Sequence, residues 1–104
     1  MRNLPSWDIA ALLDINKTVT STATPEALAG SRALFQSVTI TGNKAAQTAN
    51  TSTAYLGSAT SQDIPIAPGE NIQIIAPEGK QLDLADFFLD VGTNGDGVRG
   101  QRVR

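Results

Sequence analysis

Asp83, Asp86 and Asp90 stand close together in the chain, and carboxylates at such short spacing are the raw material of an acid–base pair. That chemistry also needs a group that titrates near neutral pH, or a nucleophile with a base beside it to take its proton. The chain holds no histidine and no cysteine. Its serine and threonine hydroxyls therefore lack the commonest activating base, and thiolate nucleophiles, disulfides and thiolate metal sites are ruled out. The three aspartates are expected to face solvent beside a strand, and no enzymatic activity is expected.

A second oxygen-rich group, Asp90, Asn94 and Asp96, lies on a glycine-rich stretch and has some of the character of a calcium loop. The spacing fails where ligands are required: the third position is Gly92 and the twelfth is Gln101, so one side-chain ligand and the bidentate acid are missing. A tight turn is the simpler expectation. The nine glycines form no phosphate-binding pattern and punctuate turns instead. No metal and no cofactor are expected.

Binding residues are easier to nominate than catalytic ones. Arg99, Arg102 and Arg104 concentrate positive charge near the C-terminus, where they either meet an acidic patch on a partner or lie in solvent. Ten carboxylates against eight basic residues leave a net charge of −2, so no long-range field draws the chain to nucleic acid. The apolar run Ile9–Leu13 is too short for a membrane span or a signal-peptide core, and synthesis in the cytoplasm is expected. Asn43, Gln47 and Asn50, on a small, polar stretch expected to be an exposed loop, together with an exposed Tyr55, offer a sparse lectin-like set of amides beside one ring.

Two kinds of element must position these residues. Over residues 4–14 Ser6 can cap a helix, Asp8 suits its positive end, and Ile9, Leu12 and Leu13 fall on one face. This predicts a short N-terminal helical arm, residues 1–15, with Trp7, Ile9, Leu12 and Leu13 as candidate anchors on the chain's own core or on a neighbouring subunit. From Asn16 onward the pattern is that of strands: a Thr-rich run at 17–22, alternation through Leu34–Thr41, a pairing partner for it at Thr53–Gly57, and isoleucines 64, 66, 72 and 74 on either side of Pro68-Gly69. A continuous apolar stretch, Phe87–Val91, then reverses at Asn94-Gly95-Asp96-Gly97 into Val98–Val103. Residues 16–104 are expected to form one all-β domain, a β-sandwich or jelly-roll-like barrel of about seven short antiparallel strands.

Four stretches, Phe35-Gln36-Ser37-Val38-Thr39-Ile40, Asn50-Thr51 leading to Tyr55-Leu56-Gly57-Ser58, Ala67-Pro68-Gly69-Glu70 and Asn94-Gly95-Asp96-Gly97-Val98, follow one another in an order that resembles small virion proteins of tailed bacteriophages, of the head-decoration or cement type. The resemblance covers roughly two-thirds of the chain. It implies a β-sandwich, often a homotrimer, that sits on the capsid surface, binds the major capsid protein and helps the head resist the pressure of packaged DNA. It brings no catalytic residue, and neither nucleic acid nor membrane is an expected partner. The alternative is a receptor- or glycan-binding module of a phage fibre or spike that uses Asn43, Gln47, Asn50 and Tyr55.

Overall fold

The computed structural model describes residues 12–103. Among them the chain is all-β. Its strands are β1 (Leu12–Thr18), β2 (Glu26–Ala27), β3 (Leu34–Phe35), β4 (Ser37–Thr41), β5 (Asn43–Lys44), β6 (Thr48–Ala49), β7 (Ala54–Gly57), β8 (Ile64–Ile66), β9 (Asn71–Ile75), β10 (Leu82–Asp83), β11 (Phe88–Val91) and β12 (Gly97–Val103). Single 3-10 turns at Ala45–Gln47 and Leu84–Asp86 interrupt them.

Two four-stranded sheets carry the architecture, one in the order β1-β12-β4-β9 and the other β2-β11-β7-β8, with two small ribbons, β10-β3 and β5-β6. Every pairing is antiparallel. Side chains alternate between the faces of a strand, and the burial follows that rule. Val38 and Ile40 are buried on β4 with Thr39 exposed between them, and Ala54 and Leu56 are buried on β7 with Tyr55 exposed between them. Both sheets feed one apolar cluster: Ile15, Val38, Ile40 and Val98 from the first, and Ala54, Leu56, Ile66, Leu89 and Val91 from the second. Phe35 sits wholly inside this cluster, its ring tilted 52° against Phe87 at a centroid distance of 5.8 Å. Burying a side chain of this size is worth about 1.5–3 kcal/mol.

The structure corrects several expectations. The predicted helix does not extend to residue 14: Leu12, Leu13 and Asp14 belong to β1 and pair with Val103, Arg102 and Gln101. A short helix is marginal in water, and seven paired residues along β12 outweigh its apolar stripe. The rest of that prediction, with Trp7 and Ile9, lies outside the described residues. The strand expected at 17–22 starts five residues earlier and ends at Thr18.

Strand partners also differ. β4 pairs with β12 and β9, not with the segment at 54–57. The turn at Pro68-Gly69, with Gly69 at φ 76°, joins strands of different sheets, as does the turn at Asn94–Gly97. Turn chemistry dictates a local reversal, but the apolar residues on both flanking strands are buried by crossing to the opposite sheet. Phe87–Val91 is not buried throughout, because Leu89 and Val91 are buried and Phe88 and Asp90 only partly so.

Candidate contact surface

The pairing of β1 with β12 joins residues from opposite ends of the chain. Leu12 is in register with Val103, Leu13 with Arg102 and Asn16 with Arg99. Val103 continues across Ser37 of β4 to Ile75 of β9, one row across the sheet. In that row Ile75 is 67% exposed and Val103 36% exposed. Arg102 is half-buried, and its Nη1 donates to the Leu34 carbonyl at 2.8 Å. Sequence position alone separates the leucines of β1 from the C-terminal arginines; the first and last described strands bring them side by side. Arg104 lies outside the described residues.

Arg99 is not a solvated terminal cation. It is only 8% exposed. Its Nη1 donates to the carbonyls of Lys17 at 2.9 Å and Val98 at 2.8 Å, and its Nη2 donates to Thr18 Oγ1 at 2.8 Å. Burial pushes its pKa below the usual arginine value. Beside it opens a cleft of about 510 Å³. Asn16, Thr39, Thr41 and Gln101 line it, with Ala45 and Ala46 of the loop between β5 and β6. A guanidinium among amides and hydroxyls can hold carboxylate or carbonyl oxygens of a partner. The signal for this grouping was the period of two: Arg99 and Gln101 fall on one face of β12, opposite Thr41 and Thr39.

Asn50, expected on an exposed loop, is buried at 5% exposure. Its Nδ2 donates to the Gly97 carbonyl at 2.7 Å, and its Oδ1 accepts from the Gly97 N–H at 3.0 Å. Next to it Asp96 is 1% exposed and accepts from the backbone N–H groups of Thr51 at 3.0 Å and Ser52 at 2.9 Å, and from Ser52 Oγ at 3.1 Å. Gly97 is required here, because a Cβ would run into the Lys17 carbonyl on the neighbouring strand. Sequence reading missed this hub. Its trace was an acid beside glycine in a turn, which also describes an ordinary exposed reversal.

The lectin-like set is dispersed. Tyr55 is 43% exposed and in register with Asp90 and Pro65 on the second sheet. Asn43 is half-buried on β5, which lies against β12 of the first sheet. Asn50 is turned inward, and the Gln47 side chain is outside the described residues.

The aspartates near β11 serve the backbone. Asp83 accepts from the N–H groups of Ala33 at 2.8 Å and Ala85 at 2.9 Å, and these bonds hold its pKa below the usual value. Asp90 accepts from Ala23 at 3.1 Å and Val91 at 2.9 Å. Asp83 and Asp90 are thus half-buried rather than free in solvent, while Asp86 is exposed. Glu26 bonds Lys17 Nζ at 2.8 Å, the largest cause of its lowered pKa.

No family model matches the chain, and neither a curated protein nor a solved structure matches it.

Proposed function

We propose that this chain is a virion structural protein, a decoration or cement subunit that binds the major capsid protein at the capsid surface and stabilises the head. We further propose that its two four-stranded sheets form a β-sandwich, since residues from one face of each enter the same buried cluster. The observation that carries the functional reading is the registration of Leu12 and Leu13 with Val103 and Arg102. Leu12 and Leu13 on one side and Arg102 on the other, candidate contacts far apart in the sequence, thereby share one margin of one sheet. Exposed Val103 and Ile75 lie in a row across that margin, and a central apolar patch with a polar rim is the usual anatomy of a protein contact. In this reading the chain continues from β1 into residues 1–11, where Trp7 and Ile9 add anchors of the kind that dominate interface energy.

The test is cosedimentation of the purified protein with shells assembled from the major capsid protein of the same virion. Stoichiometric binding is expected, and it should be lost when residues 1–11 are removed from a chain that still melts cooperatively. A full-length protein that stays in the supernatant at every concentration would refute the reading.

A further inference from the structure

We infer that β9 is an interface between two copies of this chain, pairing edge to edge with β9 of the second copy about a two-fold axis. The two four-stranded sheets have four outer strands, β1, β9, β2 and β8. Open strand edges invite pairing with another chain, and proteins block the unwanted ones with charge, proline or brevity. Three of the four carry such a device. β1 contains Asp14 and Lys17, β2 is two residues long and contains Glu26, and β8 has Pro65 at its centre.

β9 carries none. Its five residues, Asn71-Ile72-Gln73-Ile74-Ile75, include no charge and no proline. Asn71, Gln73 and Ile75 are exposed, and Ile72 and Ile74 are half-buried against the core. The strand is β-branched and neutral along its length, which is what a paired strand requires and what a solvent-facing edge ordinarily avoids.

The chemistry of the edge selects its occupant. Any other outer strand of the two four-stranded sheets would set a charged residue or a proline against this strand, and the uncharged ribbon edges at β3 and β6 are only two residues long, so head-to-tail pairing is disfavoured. A second β9 running antiparallel about Gln73 sets Ile72 opposite Ile74 of the other copy and Ile74 opposite its Ile72, extending the apolar inner face from one copy into the next. Gln73 meets Gln73, and an amide supplies both donors and acceptors to its own kind. The contact is self-complementary, as a two-fold interface must be. This differs from the trimer that the sequence resemblance implies, and it does not rest on the capsid reading: a dimer forms without a shell, and shell binding can fail with the dimer intact.

The experiment is size-exclusion chromatography with light scattering on the full chain over a range of concentrations, with circular dichroism melts to establish folding. The expected mass is near twice the 10.9 kDa of one chain. Gln73→Lys sets two like charges against each other across the axis, and Ile75→Lys adds the kind of charge that blocks an edge. Both positions are exposed, so both variants should fold, and each should weaken the dimer at least about hundredfold. Tyr55→Lys, on the other sheet, should leave it unchanged. A wild-type monomer or trimer, or a dimer that persists in both folded variants, would overturn the inference.

Discussion

Gly97, Val98 and Arg99, which begin β12, are all buried, whereas Gln101 and Val103 near its end are exposed. β1 pairs along the whole of β12, whereas β4 pairs only with Arg99–Val103, so the buried half has the fewer strand partners and pairing is not what encloses it. The first half is enclosed by polar groups that reach in from distant loops. Asn50 bonds both backbone groups of Gly97, Asp96 holds Thr51 and Ser52, and Arg99 bonds the Lys17 and Val98 carbonyls and Thr18. The second half is tied to the 34–36 segment through Arg102 and the Val103 carbonyl, but it leaves side chains outside. One half of β12 is built for stability, and the other is free to make contacts.

The sharpest way to break that contrast is to remove the hub. Asp96→Ala strips an acceptor from three donors at once and should destabilise the fold by about 3 kcal/mol, measured by urea unfolding. Asn50→Ala leaves the Gly97 N–H and carbonyl unpaired in a buried place, with an expected loss of about 2 kcal/mol by the same measurement. A double variant tests whether the two act as a unit. Their bonds converge on neighbouring residues, so a coupling of about 1 kcal/mol is expected, and simple additivity would show two independent anchors.

Acid provides a gentler probe that leaves the hub in place. Asp83 and Glu26 have folded pKa values lowered by their hydrogen-bond partners. Their stabilising contribution is therefore complete above the ordinary carboxylate range, about pH 4, and is lost as pH falls through the lowered folded values. Asp83→Asn should flatten this acid limb in thermal melts at a series of pH values, while an unchanged limb would show that the Ala33 and Ala85 bonds contribute little. The smallest effect is expected in the exposed half of β12, where Gln101→Ala and Val103→Ser should each change unfolding free energy by less than about 0.5 kcal/mol. A loss comparable to that of Asn50→Ala would erase the distinction between the two halves.

Much of the fold was legible in the residues. The alternation through Ser37–Thr41 places Val38 and Ile40 inside and Thr39 outside, as β4 has them, and Tyr55 is set outward between Ala54 and Leu56 in the same way. The contact surface was less legible. Leu12 and Leu13 fit a helical stripe as well as a strand, and nothing local reveals that their neighbours are Val103 and Arg102. Arg99, Asn50 and Asp96 are polar residues near glycines, a description that fits an exposed turn; their burial depends on donors and acceptors far away in the chain.

From its sequence alone this chain is committed to β structure, to turns at its Pro-Gly and Asn-Gly stretches, and to a chemistry without histidine or thiol, because side-chain alternation, turn preference and composition are local properties. Only the tertiary structure decided that both turns cross between sheets, that the first described strand lies beside the last, and that β9 is left, among the outer strands of the two four-stranded sheets, without charge or proline. Those outcomes turn on which buried surfaces match and which distant polar groups satisfy one another, and no short window of residues contains both partners of such a match.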